Sequence, residues 1–284
     1  MRDSEENNNQ IGFLYFWNIF LEHIKIFTLV PSAAVLVAII YSLSVDYVYK
    51  ADIVIVPSDK YSQTNGMNLS SSLGALAGLN MNQTNLEIKS NLSVLSSRKF
   101  LQDFIVDEGI LKDLYFEDWD ENKQEWKTSP PSLWKAYKSF ARNNFGVSED
   151  KLTGLITVSI YWTDPELASK WANKMIKTLN KYLSEVSFKK AELNREYLVR
   201  EAEKTKLKNP QAIFYSLIEK ETQNMMMANA TEEFAFKVID PSLIPQERFY
   251  PKRTRMVITG GIIGLIVSII IVAFIRLYNL VRSS

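Results

Sequence analysis

Two uncharged apolar segments, one close to each end of the chain, constrain the fold more than any other feature of the sequence. The first, residues 26–45, reads IFTLVPSAAVLVAIIYSLSV, and the second, residues 256–275, reads MVITGGIIGLIVSIIIVAFI. Each is about 20 residues long, which at ~1.5 Å of rise per residue crosses a hydrocarbon layer ~30 Å thick. The sequence therefore predicts a transmembrane helix at each end, with residues 46–255 forming one water-exposed domain between them.

A cleaved signal peptide is the alternative interpretation of the first segment. Its apolar run is longer than the ~7–15 residues usual for a signal peptide, and no A-x-A-like cleavage site follows it. Lys25 precedes the run and Asp46 ends it, as expected for a span that stays in the protein. We therefore predict an anchor, with short tails over residues 1–25 and 276–284.

The charges beside the two spans do not say which side of the membrane the termini occupy. Basic residues flank the spans on both sides: the tails carry Arg2, Lys25, Arg276 and Arg282, and the loop flanks carry Lys50, Lys252, Arg253 and Arg255. A loop longer than ~60 residues also translocates largely regardless of its charge. Two spans place both termini on one side, but the residues alone leave that side open.

The composition excludes several kinds of reactive site. The chain has no cysteine and one histidine, His23, at the membrane edge, so thiolate sites, multi-histidine metal sites and histidine-based triads are absent. Neither G-x-x-x-x-G-K-[ST] nor G-x-G-x-x-G occurs, so there is no nucleotide-binding fingerprint. We predict no catalytic, cofactor-binding or metal-binding residues, no cofactor and no nucleic-acid partner.

Asp118 and Asp120 keep an enzyme open as an alternative. Their D-x-D spacing is the one with which some glycosyltransferases hold a metal-bound sugar nucleotide. The pair lies in the polar stretch 117–131, EDWDENKQEWKTSPP, without a nucleotide-binding pattern around it. A solvated, charged loop is therefore the favoured interpretation, and a membrane enzyme of sugar transfer is the alternative.

Three segments have the composition of β-strands: residues 47–57, 155–162 and 233–239. The first is rich in β-branched and aromatic residues, places Ala51, Ile53 and Ile55 on one face, and is stopped by Pro57. The first and third strands adjoin the two spans. Pairing them would close the domain near the membrane.

The segments between the first two strands divide into a loop and a helical region. The stretch from 58 to 85 is rich in Ser, Asn and Gly, which predicts an excursion with a short helix at its centre. Residues 85–110 carry apolar side chains at helical spacing: Leu86, Leu92, Leu95, Phe100, Phe104 and Ile105.

The strongest helix signal begins at Asp164, Pro165 and Glu166. Aspartate suits the N-cap, proline the first helical position, and glutamate the positive end of the helix dipole. Apolar residues then recur about once per turn, at Leu167, Trp171, Met175, Leu179, Leu183 and Val186. No Gly or Pro interrupts this pattern before Pro210, so a helix over 165–208 would be about 66 Å long.

The second half of this predicted helix, residues 189–208, is charged nearly all round. Such a helix stands in solvent or packs against neighbouring copies. Asn209 and Pro210 should end it, and residues 211–228 should return as a second helix. The predicted fold is α+β, with two transmembrane helices flanking an α/β base and a long helical arm, over about residues 165–230, protruding from the base.

Gly260 and Gly264 stand four residues apart in the second span, with Gly261 beside them. Small residues at this spacing allow two helices to approach closely. They predict a packing face in the membrane, against the first span, another copy or a partner.

In combination, several motifs resemble the chain-length determinant family, the polysaccharide co-polymerases of bacterial inner membranes. The similar features are the short tail, the first span and the strand with Tyr49-Lys-Ala51, Ile53 and Pro57; Asp164, Pro165, Glu166, Ala168, Trp171 and Asn173 at the start of the long helix; the Ser97–Leu101 helix start; and Pro241, Pro245 and Pro251-Lys-Arg253 before the glycines of the last span. The order and spacing of these motifs extend the resemblance from end to end of the chain.

The resemblance implies a function without catalysis. Such proteins form ring-like homo-oligomers that set the modal length of a surface polysaccharide, here most simply lipopolysaccharide O-antigen, made by a membrane-embedded glycan polymerase. Lipid-linked polysaccharide is a further implied partner. The resemblance also implies the orientation in the inner membrane, with both termini cytoplasmic and the main domain periplasmic.

Related tyrosine autokinases append a nucleotide-binding domain after the second span. Only residues 276–284 follow it here, so we expect the branch without a kinase domain. A capsule polysaccharide export scaffold is an alternative with the same two-span layout. A two-span periplasmic sensor is a weaker alternative, because the short tails leave little room for an output domain.

Overall fold

A computed structural model describes residues 21–58, 83–204 and 208–283 of the chain. They belong to two compact units: one combines the terminal segments Met1–Val48 and Arg248–Ser284, and the other is Tyr49–Glu247. The excursion predicted after the first strand falls mainly on residues 59–82, outside the described residues.

The elements follow each other in mixed order. The α-helices are α1 Ile24–Ser44, α2 Gln83–Leu95, α3 Arg98–Asp107, α4 Ile110–Leu114, α5 Leu133–Ser139, α6 Pro165–Lys204, α7 Lys208–Ala230 and α8 Arg253–Ser283. The strands are β1 Val48–Pro57, β2 Trp119–Asp120, β3 Glu125–Trp126, β4 Phe145–Glu149, β5 Ile156–Trp162, β6 Phe236–Asp240 and β7 Arg248–Tyr250.

The terminal unit contains two long apolar helices, α1 and α8, which pack against each other. Both are long and apolar enough to cross a membrane, with mean hydropathies of 2.2 and 2.8 in their most apolar windows. Only 6% and 17% of those windows are buried, so neither helix is the core of a soluble domain. Exposed apolar surface of this extent requires a membrane or a partner around it.

The middle unit is built on an antiparallel sheet with the strand order β4-β5-β1-β6. β1 is central: Ile55 pairs with Ile156 of β5 on one side and with Val238 of β6 on the other. The three predicted strands are confirmed, and so is the pairing of the first with the third. β4 was not predicted, because its sequence FGVSE is short and half polar.

One face of this sheet forms the core of the middle unit. Ala51, Ile53 and Ile55 are at most 1% exposed, which confirms the alternation predicted for β1. The helix α6 covers this face with an apolar stripe from Trp171 to Leu183, whose members are Trp171, Met175, Leu179 and Leu183. The predicted stripe ends there, since Val186 is 50% exposed.

The helical region before the polar loop is divided into α2 and α3. The division occurs at Ser97, whose Oγ accepts a hydrogen bond from the backbone N–H of Phe100 at 3.3 Å. α3 then buries Phe100 and Phe104 in the core. The predicted spacing fails at its start, because Leu86 is 63% exposed.

Over the residues of the predicted arm, the structure has an antiparallel helix pair. α6 has 40 residues and is therefore about 60 Å long at ~1.5 Å per residue. Ser184 donates a side-chain hydrogen bond to the carbonyl of Ala228, and Asn194 donates one to Glu221 at 3.3 Å. Beyond Leu183 the buried side chains of α6 are small alanines, which allow α7 to approach closely: Ala191 and Ala202.

The expected break at Asn209 and Pro210 is wrong in position. Both residues belong to the first turn of α7, which begins at Lys208. A proline is tolerated there because the first N–H groups of a helix have no partner within the helix.

Candidate functional site

In the stretch that the sequence predicted as a loop, Asp118 ends a short 3₁₀ turn and Asp120 belongs to a small β-hairpin. The strands β2 and β3 pair through Trp119 and Trp126, whose rings are 5.0 Å apart in an edge-to-face arrangement. The Oδ1 of Asp120 accepts the backbone N–H groups of Asn122 and Lys123 at 3.1 and 3.2 Å. This carboxylate therefore stabilises the turn of the hairpin.

The structure assembles no reactive constellation in the part of the chain that it describes. No three acidic or histidine side chains there come together as metal ligands. A cleft of about 510 Å³ between α3 and α6 is lined by charges of both signs around Phe100 and Tyr182. Two of these charges already pair with each other, since Lys174 Nζ lies 3.5 Å from Glu108 Oε1. The cleft contains neither a thiol nor a histidine that could act as a nucleophile or base.

The motif that opens α6 caps the helix. Asp164 Oδ1 accepts the backbone N–H groups of Glu166 and Leu167 at 2.8 and 3.2 Å. Pro165 is the first residue of the helix, Glu166 lies in its first turn, and Ala168 is fully buried. The motif thus begins a helix whose first turns face the core.

Asn173 fastens α6 to the segment that leaves the sheet. Its Oδ1 accepts the N–H of Ser242 at 3.0 Å, and its Nδ2 donates to the carbonyl of Ser242 at 2.9 Å. Ser169 Oγ donates to the same carbonyl at 2.9 Å. Both backbone groups of Ser242 are therefore bound by α6, immediately after Asp240 and Pro241.

Asn180, which the sequence analysis missed, makes a second contact of the same kind. It is 2% exposed, and its Oδ1 accepts the N–H groups of Ala235 and Phe236 at 3.0 and 2.9 Å. Its Nδ2 donates to the carbonyl of Phe236 at 2.8 Å. The signal available in the sequence was the spacing: Asn173 and Asn180 are seven residues apart, so they share one helix face.

The three motif prolines lie in or beside the segment that leads to the last helix. Pro241 is exposed, Pro245 is partly buried and Pro251 is buried. The segment between Pro241 and Glu247 contains neither helix nor strand. The prolines therefore lie in the part of the chain that connects β6 to α8.

The glycines of α8 lie against α1. A Cβ added at Gly260 would lie 2.7 Å from Ala38 Cβ, and one added at Gly264 would lie 2.7 Å from Pro31 Cα. Such distances are shorter than carbon atoms tolerate, so these two positions require glycine for this packing. A Cβ at Gly261 would make an ordinary 3.6 Å contact with Val35 Cγ2. Of the three partners left open by the sequence, the contact in the structure is with the first apolar helix.

Solved structures of polysaccharide co-polymerases are similar to this chain at low identity. A full-length bacterial polysaccharide co-polymerase has 13% identity and a TM-score of 0.41, over 94% of this chain and 97% of its own. A fragment of WzzB, a polysaccharide co-polymerase from Salmonella Typhimurium, has 13% identity and a TM-score of 0.35, over 72% and 100%. A mutant of the Shigella flexneri lipopolysaccharide O-antigen chain-length regulator has 12% identity and a TM-score of 0.21, over 71% and 99%. At these TM-scores the similarities do not establish a common fold.

The sequence itself matches a family model. No sequence match to a curated protein was found. Residues 9–108 match the model described as chain length determinant protein, Wzz. This range contains α1, β1, α2 and α3, and therefore includes the first apolar helix, the central strand and the Ser97 helix start. Residues 9–108 are thus similar to the chain length determinant family, which confirms the resemblance for this part of the chain.

Proposed function

We propose that this protein is a non-catalytic regulator of the modal chain length of a surface polysaccharide. It acts as an oligomeric scaffold on the membrane-embedded polymerase that makes the glycan, and O-antigen of lipopolysaccharide is the polysaccharide to test first. The observation that carries the proposal is the match of residues 9–108 to the chain length determinant family. The two candidate spans and the absence of a reactive constellation among the described residues support it.

The proposed topology is that of a two-pass protein of the bacterial inner membrane. Residues 26–45 and 256–275 cross the bilayer, the tails 1–25 and 276–284 are cytoplasmic, and residues 46–255 are periplasmic, with the arm at about 165–230. One compact unit contains segments from both ends of the chain, which supports the placement of the two spans side by side in the membrane. The side of the membrane follows from the family resemblance.

The contacts of α6 explain how a protein without reactive groups could act through its shape. Asn173 and Asn180 bind backbone groups 55 to 69 residues further along the chain. Side-chain amides that are hydrogen-bonded to the backbone of another element help to specify one arrangement of the elements they join. The base therefore holds α6 in a fixed position relative to the sheet, as a scaffold requires.

The outer part of the helix pair offers a surface for a second copy of the chain. Val186, Leu193 and Tyr197 are 50%, 53% and 57% exposed. They are seven and four residues apart, so they lie on one face of α6. α7 adds Ile213 and Leu217, at 62% and 41%. Apolar stripes of this kind on a helix are typical of interfaces between subunits.

The decisive experiment is a deletion of the gene followed by glycan profiling on a silver-stained gel. We expect the modal band of long O-antigen to disappear while polymer is still made, and complementation with the wild-type gene to restore it. Loss of all polymer would contradict a regulator and favour an enzyme or an exporter. Loss of capsule with an unchanged O-antigen profile would favour the capsule export scaffold.

A further inference from the structure

Four basic residues occur within eight positions that run from β7 into the first turn of α8. We name these residues, Arg248, Lys252, Arg253 and Arg255, the basic cluster. Two of them stack on the ring of Tyr47: the guanidinium carbons of Arg248 and Arg253 lie 3.6 and 4.8 Å from its centroid. The aromatic ring attracts each cation. Two like charges on one ring nevertheless repel each other, and an anion beside them would relieve that repulsion.

The described part of the chain does not supply such an anion. No carboxylate there, including that of Asp46, lies within 4.0 Å of a side-chain nitrogen of the basic cluster. The Nε of Arg253 is buried without a hydrogen-bond partner. At the far end of α8 the situation differs, because Arg276 lies 3.2 Å from Glu22.

The basic cluster lies where α8 enters its apolar window, and aromatic side chains accompany it. Phe249 and Tyr250 are each 42% exposed, and Lys252 Nζ is 5.8 Å from the centre of the Phe249 ring. Aromatic and basic side chains together occupy the layer of a bilayer that contains the lipid phosphates. In the proposed topology this flank is periplasmic.

We propose that the basic cluster and Tyr47 form a binding site for the phosphoryl group of an anionic membrane lipid. Arg248 and Arg253 provide planar forks of N–H donors that match phosphate oxygens, and Tyr47 orients them. Lys252 and Arg255 add positive charge. The ligand is a phosphate on a lipid chain, supplied either by a glycerophospholipid or by the diphosphate of a polyprenyl-linked glycan. The site rests on the membrane insertion in the proposed function, and does not require control of chain length.

The test measures lipid binding to the full-length protein. The protein, purified in a neutral detergent, is titrated with phosphatidylcholine, phosphatidylglycerol or a polyprenyl diphosphate, and bound lipid is counted by native mass spectrometry. We expect binding of an anionic lipid, and we expect Arg248→Gln and Arg253→Gln each to weaken it about fivefold, the order of one basic residue at an anionic surface. Binding of phosphatidylglycerol identifies a phospholipid as the source, whereas binding confined to the polyprenyl diphosphate identifies the glycan carrier.

Three variants serve as controls. Arg276 lies at the far end of α8 and already has a carboxylate partner. Arg276→Gln removes its positive charge, and lipid binding should not change. Tyr47→Phe keeps the ring and should keep the affinity, whereas Tyr47→Leu should lower it. Two results would overturn the site. One is binding of phosphatidylcholine as tight as that of the anionic lipids. The other is a loss of affinity in Arg248→Gln and Arg253→Gln no larger than in Arg276→Gln, at an unchanged unfolding midpoint. A failed lipid test with an altered glycan profile in the deletion strain would leave the proposed function standing.

Discussion

Single polar residues decide where the elements of the middle unit meet. Asn173 and Asn180 interrupt the apolar face of α6, yet each forms three hydrogen bonds with backbone groups. An unpaired polar group in the buried position of Asn180 would cost about 1–3 kcal/mol. Apart from the Ser169 carbonyl, their partners lie more than 50 residues away in sequence, so no local pattern could reveal them. Their seven-residue spacing was visible, but its meaning depended on the tertiary structure.

Two aspartates respond to their surroundings in opposite directions. Burial raises the pKa of Asp113 above its ordinary value. The positive charge of Lys112 opposes this rise in pKa, and the negative charge of Asp164 adds to it. The backbone N–H of Leu152 and the hydroxyl of Thr153 lower the pKa of Asp150 instead, at 2.9 and 2.8 Å.

These two shifts predict opposite dependences of stability on pH. The pKa of Asp113 is higher in the folded state than in the unfolded state, so the protein loses stability as the pH rises through the folded pKa. Asp113→Asn should therefore stabilise the protein at pH 7 and have little effect below the unfolded value of 3.8. With a lowered folded pKa, Asp150 contributes stability above 3.8 that is lost as the pH falls. Asp150→Asn should therefore destabilise the protein at pH 7. Thermal unfolding midpoints of the two variants, measured from pH 3 to pH 8, test both predictions. Changes of the same sign in the two midpoints at pH 7 would contradict the opposite directions of the pKa shifts.

At the scale of elements, strong local signals were sufficient for the long helix and the central strands. α6 has a cap, a proline at its first position and an apolar stripe along its first half, and it begins at Pro165 as predicted. The hairpin of β2 and β3 has only two residues in each strand, too few to show an alternating pattern. Its strands are held by the contact between Trp119 and Trp126, which depends on the fold and not on periodicity.

The packing of α1 on α8 is set by glycines whose neighbours leave no space. Alanine is a better helix former than glycine by about 1 kcal/mol, so local propensity alone favours replacement. Gly264→Ala would nevertheless bring its Cβ to 2.7 Å from the backbone Cα of Pro31, and no side-chain rotation relieves a contact with backbone. Gly261→Ala meets only an ordinary contact and is the matched control.

The chain contains no cysteine, so a crosslink between introduced cysteines can report on this helix pair. Glu22→Cys and Arg276→Cys replace an ion pair of 3.2 Å between the two helices. We expect a short bifunctional thiol reagent to join them within one chain. Adding Gly264→Ala should lower the yield several-fold, whereas Gly261→Ala should leave it unchanged. Equal yields for the two alanine variants would show that the glycine spacing does not control the packing.

At the scale of the whole molecule, the candidate spans were predictable because apolar length and absence of charge are properties of sequence alone. The family match covers residues 9–108, and so includes neither the helix pair of α6 and α7 nor the glycines of α8. The role of those parts must be tested directly. The exposed apolar face of α6 is the surface through which one copy of the chain could contact another.

The last prediction concerns this face as the contact between copies. Replacing Leu193 and Tyr197 together by glutamate should disrupt assembly and leave the fold intact, because both side chains are more than half exposed and α6 keeps its buried stripe. Light scattering of the detergent-solubilised protein should show a smaller particle, and the complemented deletion strain should lose its modal O-antigen band. Glu196→Gln, on the same turn of α6, is the control that should change neither. Glutamates facing an apolar neighbour would be desolvated without partners, so a contact through this face could not survive the double replacement. If the Leu193→Glu/Tyr197→Glu protein keeps its wild-type size and band, this face is excluded from the assembly.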